Sequence, residues 1–182
     1  MIVAPPLLRA AAWVVVLLSG CASPAVLPTG YGPPISGRLS VRVDAEPVRV
    51  VSAAFELSGD AHAGVLALTS PLGSTLARAH WSAQEVVLTT PTGQSRYSNL
   101  DELAAQALGE RIPMAALFDW LRGRPWSGAA SAVLSGNEAG FEQLGWRVSL
   151  ARFGDGWLDA YRDAAPTVTV RARLDTDAAA RP

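Results

Sequence analysis

The stretch Val65-Leu66-Ala67-Leu68-Thr69-Ser70-Pro71-Leu72-Gly73-Ser74-Thr75-Leu76-Ala77-Arg78-Ala79-His80-Trp81 decides the fold. It reads as two strand-like runs on either side of Ser70-Pro71-Leu72-Gly73, and so short a connection joins only antiparallel neighbours, because parallel ones need a crossover of roughly a dozen residues. Pro71 presets φ for the second position of a β-turn, and Gly73 takes the backbone conformation that other residues avoid. The tip residue is Leu72, which does not suit water: leaving a Leu exposed rather than buried forgoes about 1.5 to 3 kcal/mol. Either Leu72 folds back onto the core of its own domain, or it meets an apolar medium outside it.

The pattern around this hairpin repeats it. Upstream, Leu39, Val41 and Val43 alternate with Arg38, Ser40 and Arg42, and Val51, Ala53, Phe55 and Leu57 alternate with Ser52, Ala54 and Glu56, the period of half-buried strands. Downstream, Glu85 to Thr90 turns at Pro91-Thr92-Gly93 into Gln94 to Tyr97. The period then changes. Leu100, Leu103, Ala104, Ala107 and Leu108 fall on one helical face, with Ser98 or Asn99 as N-cap and Gly109 as stop. A second helix is expected from Pro113 through Leu117, Phe118, Trp120 and Leu121, closed by Gly123. Arg124 to Gly140 reads mostly as loop, with a short helix near Ala130 to Leu134. Strands resume at Phe141 to Leu144, Trp146 to Arg152, Gly156 to Arg162 and Thr167 to Leu174, the last two shortened around Ala164-Ala165-Pro166. The fold class is therefore mainly β with a helical insertion (α+β). An antiparallel sheet of about 9 to 11 strands tends to curl, and two helices can cover the curl and enclose apolar volume.

The start of the chain has a different character. After Arg9 comes an unbroken apolar run, Ala10 to Leu18, far shorter than the roughly 20 residues that cross a bilayer, so it reads as a signal-peptide core. It ends in Leu18-Ser19-Gly20-Cys21, at the only cysteine of the chain, and one cysteine excludes an internal disulfide. From Ala22 to Ser36 four prolines and two glycines mark a tether. At about 3.1 Å per residue it reaches on the order of 45 Å. The expected organisation is a signal peptide over 1–20, Cys21 and the tether over 21–36, a single domain over 37–175 and a tail over 176–182.

Composition removes several function classes. Of 15 basic residues only Arg9 precedes Cys21, which leaves 14 against 16 acidic, a net charge of about −2 without a basic patch for nucleic acid. The two histidines, His62 and His80, cannot form a His-Glu-x-x-His metal site, and neither a Gly-x-Ser-x-Gly elbow nor a phosphate-binding Gly-x-x-x-x-Gly-Lys loop is present. Asp101 and Glu102 suit the positive end of a helix dipole. No catalytic residue and no metal ligand is expected.

Leu18-Ser19-Gly20-Cys21 resembles the lipobox of bacterial lipoproteins, which implies S-diacylglycerol and an N-palmitoyl group on Cys21 as the mature N-terminus, and no other cofactor. Ala22 and Ser23 lack the Asp that retains many such proteins at the inner membrane, so the resemblance implies an outer-membrane anchor facing the periplasm. From about Gly37 to Leu150 the chain is similar to the LolB family of outer-membrane lipoprotein receptors. The similarity rests on Gly37-Arg38-Leu39, on Leu68 to Thr75, on Ile112-Pro113 with Trp120-Leu121-Arg122-Gly123-Arg124-Pro125, and on Phe141-Glu142-Gln143-Leu144-Gly145-Trp146. It implies an incomplete antiparallel β-barrel covered by helices. It further implies a monomer that takes lipoproteins by their acyl chains from a LolA-like periplasmic carrier and inserts them into the inner leaflet of the outer membrane without chemistry.

In the family the loop Leu pushes cargo into the membrane, and it matches Leu72, flanked by Pro71 and Gly73. Candidate cavity-lining residues are Leu39, Val41, Phe55, Leu57, Leu66, Leu68, Trp120 and Trp146, although a packed core predicts the same set. The competing reading is a non-catalytic outer-membrane scaffold or assembly lipoprotein that binds a protein partner.

Overall fold

The computed structural model describes residues 34–136 and 138–175. The expected signal peptide, Cys21, the tether up to residue 33 and the tail lie outside the described residues. Six strands come first: β1 (Ile35–Val43), β2 (Arg49–Gly59), β3 (Gly64–Thr69), β4 (Thr75–Trp81), β5 (Val86–Thr90) and β6 (Gly93–Tyr97). Two helices follow, α1 (Leu100–Leu108) and α2 (Met114–Trp120), and then β7 (Ser131–Val133), β8 (Gly140–Gln143), β9 (Trp146–Ser149), β10 (Trp157–Arg162) and β11 (Val168–Leu174).

The strands form one antiparallel sheet in the order β6-β5-β4-β3-β2-β1-β11-β10-β9-β8-β7. The first and last strands meet in its middle, with Gly37 opposite Leu174 and Val43 opposite Val168. Its two edges, β6 and β7, are the strands that the helical insertion joins, and among the described residues no ladder closes them. The result is an open curl with the helices across its gap.

Register puts the apolar positions on one face. Leu39 lies between Ala53 and Ala172, Val41 between Val51 and Val170, and Phe55 between Gly37 and Leu68, whereas Arg38, Ser40 and Arg42 take the other face. The helices cover the inner face. Phe118 of α2 stacks on Trp81 of β4 with ring centroids 5.0 Å apart, and Trp120 meets Trp146 of β9 at 5.8 Å. At the far end of α1, Arg49 of β2 donates to the Leu108 carbonyl at 3.3 Å.

Both helices begin as their sequences dictate. The Asn99 side chain accepts from the Glu102 amide at 2.8 Å, which makes Asn99 the N-cap of α1, and the Glu102 carboxylate accepts from the Ser98 amide just before the cap at 2.8 Å, a variant of the capping box. Those bonds from Ser98, its hydroxyl first and its backbone N–H second, hold the Glu102 carboxylate below the usual range. Pro113 precedes α2, where its missing N–H costs nothing.

Two expectations need correction. The short helix near Ala130 to Leu134 is instead β7, whose Val133 pairs with Phe141; a β-branched residue beside a free edge gains ladder bonds that one isolated helical turn does not supply. The strand expected over Phe141 to Leu144 ends at Gln143, because Leu144 and Gly145, with φ of 54° and 75°, form a two-residue hairpin turn. The last two strands fall close to where the sequence puts them: β11 pairs with β1 over seven positions, and the turn around Pro166 lies outside that ladder. At the other end, β1 takes in Ile35 and Ser36, the last two residues of the expected tether.

Candidate functional site

Leu72 occupies the tip of a built turn. The Gly73 amide donates to the Ser70 carbonyl at 2.9 Å, the Ser70 amide to the Ser74 carbonyl at 2.8 Å, and the Ser74 amide to the Ser70 hydroxyl at 3.2 Å. Gly73 sits at φ +83°, where an L side chain is strained. The β3–β4 register shifts between Leu68 and Thr69, a bulge that re-aims the strand end. On this support Leu72 is 94% exposed, the most exposed large apolar residue among those described, so it does not fold back onto its own core.

The interior divides the eight candidate lining residues. Leu57 and Trp120 keep no accessible surface, which means that neither borders a void as large as a water molecule, and Trp146, Phe55 and Val41 retain almost none. They pack as core. Leu39, Leu66 and Leu68, on the same inner face, are only half-buried, as are Leu103 and Leu108 of α1 and Met114 of α2 at the margin of the core. The fold is thus closed around Trp120 and looser around β1, β3 and α1.

Two surface concavities flank these regions. One of about 570 Å³ lies over β7 to β10 and includes Trp146 and Tyr161 in its wall. The other, of about 400 Å³, lies between β1, β2 and the Leu72 turn, with Arg38, Leu39, Ser52, Pro71 and Gly73 in its wall. Among the described residues no group of three or more His, Cys, Asp or Glu side chains is placed to hold a metal ion, and no helix is long and apolar enough to cross a membrane.

Two polar residues of the resembling motifs turn out to organise the core. Gln143 is 2% exposed, yet its Oε1 accepts from Trp120 Nε1 and from the Trp126 amide, both at 2.9 Å, while its Nε2 donates to the Trp126 and Ala129 carbonyls at 2.7 and 2.8 Å. A buried amide with every bond made ties α2 and the following loop to β8. Arg122 donates to the Phe118 carbonyl at 2.8 Å and to the Gly59 carbonyl at 2.7 Å, locking the end of α2 onto β2. Burial pulls its guanidinium below the usual arginine range, and neighbouring Asp119 pushes the other way.

The sequence reading missed Val48 and Val50, which are 51% and 56% exposed where the β1–β2 hairpin begins its return. A signal existed. In a strand of period two, the consecutive pair Val50-Val51 must send one side chain outward.

Comparison with known proteins agrees with this geometry. The family model described as "Outer membrane lipoprotein LolB" matches residues 34–170. An "Outer-membrane lipoprotein LolB" of Bordetella pertussis is 35% identical over 147 residues, covering 75% of this chain and 74% of that protein. One of the same name from Bordetella petrii is 34% identical over 155 residues, covering 80% and 78%. Another, from Halorhodospira halophila, is 32% identical over 130 residues, covering 69% and 61%.

Proposed function

Because the chain belongs to the LolB family of outer-membrane lipoproteins, which localise lipoproteins without enzymatic chemistry, we propose that it takes acylated lipoproteins from a LolA-like periplasmic carrier and passes them into the inner leaflet of the outer membrane. The observation that carries the proposal is Leu72, 94% exposed on a turn held by its own hydrogen bonds. A flexible tip would lose entropy on entering lipid; a preformed one loses little. Burial of the Leu side chain in the interface contributes about 1.5 to 3 kcal/mol.

Cargo moves down a gradient of affinity. Each tenfold step from carrier to receptor corresponds to about 1.4 kcal/mol, less than two buried methylenes at about 0.8 kcal/mol each. Leu39, Leu66 and Leu68, inner-face residues that keep accessible surface, are the place where an acyl chain gains that contact. An acylated Cys21 serves as anchor only, with the proline-rich tether separating it from the domain that handles cargo.

The test is a reconstituted hand-over. A carrier loaded with labelled lipoprotein is mixed with the mature chain carrying Cys21→Ala, and the label is followed first to this chain and then to liposomes. Transfer in both steps is expected, since the anchor sets the destination and not the activity. A label that stays on the carrier in the presence of folded protein contradicts the proposal.

A further inference from the structure

The groove beside the Leu72 turn has a cation at its wall that the packing does not use. On the outer face, cross-strand register aligns Arg38 with Ala54 and Ala54 with Thr69, a row spanning two strand spacings of about 4.8 Å each. The small Ala54 in its middle leaves a notch. Arg38 walls one side of the resulting concavity of about 400 Å³, Pro71 and Gly73 wall the other, and Ser52, whose hydroxyl donates to that of Ser40 at 3.1 Å, lies beside the floor. Arg38 is exposed and has no ion pair or side-chain hydrogen bond among the described residues. The nearest charges on its face differ in sign. Arg173 of β11 lies directly opposite but stacks over the Trp157 ring at 5.4 Å, Glu56 is exposed two positions beyond Ala54 along β2, and Asp175, two positions beyond Arg173, accepts from the Ser36 hydroxyl at 2.8 Å. The same outward row of β2 carries the exposed Val50.

We propose that this groove seats the phosphate of a membrane phospholipid headgroup, with the Arg38 guanidinium as its ligand. The proposal rests on the reading that Leu72 enters the membrane. The headgroup layer on each side of a bilayer is only about 5 to 8 Å thick, so a cation walling the same groove as Pro71 and Gly73 stands at phosphate depth when Leu72 reaches the acyl boundary. The planar fork of Arg matches two phosphate oxygens. The geometry thus pairs an apolar wedge with a headgroup clamp.

The test is partition of the full mature chain carrying Cys21→Ala onto two kinds of vesicle, one of phosphatidylethanolamine with phosphatidylglycerol and one of digalactosyldiacylglycerol, which has no phosphate. Arg38→Gln is expected to lower partition onto the phospholipid vesicles about fivefold, the factor that corresponds to ~1 kcal/mol for one basic side chain at a membrane surface, and to leave partition onto the galactolipid unchanged. Arg38→Lys should recover part of the loss, and the melting temperature should not move. Wild-type partition of Arg38→Gln onto phospholipid, with Leu72→Glu impaired on both vesicles, overturns the headgroup seat and leaves the loop reading standing. Full partition of Leu72→Glu on both vesicles instead removes the loop reading, on which the seat depends.

Discussion

The Ser70–Gly73 turn and the junction of Trp120 with Trp146 are two of the stretches through which the chain resembles its family, and they stand at opposite physical limits. Leu72 in the first is 94% exposed and packs against nothing, whereas Trp120 in the second has no accessible surface and sits 5.8 Å from Trp146 and 6.4 Å from Phe141. Both stretches are apolar, yet only one is explained by folding. The tryptophan junction is held by burial and by the four bonds of Gln143, so its residues are accounted for by stability alone. Leu72 contributes nothing to the packing of the folded domain, and the proposed function gives its apolar surface a partner outside it. Motif membership does not separate architecture from activity; burial does.

Substitutions sharpen the contrast in order of size. Trp120→Ala should cost about 3 to 5 kcal/mol in denaturant unfolding, as a large aromatic removed from a closed core leaves a cavity. A cost below ~1 kcal/mol would mean that the junction is loose and its tryptophans line space after all. Gln143→Leu should cost roughly 2 to 4 kcal/mol, because it strands the Trp120 indole N–H, the Trp126 amide and two carbonyls away from partners. Its signature in hydrogen exchange is faster exchange at the Trp126 amide. Asn99→Ala removes the cap of α1 and should cost about 1 kcal/mol, with the loss of protection confined to the first turn of that helix. At the small end, Leu72→Ser should change unfolding free energy by less than ~0.5 kcal/mol, as surface changes without partners do.

How far this division could be read from the residues depended on the kind of signal. Period-two alternation from Leu39 to Val43 and from Val51 to Leu57 separated an apolar from a polar strand face, and Pro71 with Gly73 placed the turn, because strand parity and turn chemistry are local. The capping box at Ser98-Asn99-Glu102 was equally local. The split within the candidate lining set was not. Leu57 and Leu66 face each other across β2 and β3, yet one is sealed and the other half-open, a difference that strand parity does not carry. The edge strand β7 escaped because three residues carry too little pattern, and the role of Gln143 escaped because a buried amide shows itself only through its partners.

The most direct measurement is delivery of acylated cargo to liposomes by the Leu72→Glu chain, taken beside its uptake of the same cargo from the carrier and its melting temperature. A Leu that acts at the membrane requires uptake and melting temperature close to wild type, with delivery reduced roughly tenfold to more than a hundredfold, the range that corresponds to about 1.5 to 3 kcal/mol of lost burial. Delivery at the wild-type rate, or a melting temperature lowered by several degrees, would contradict it.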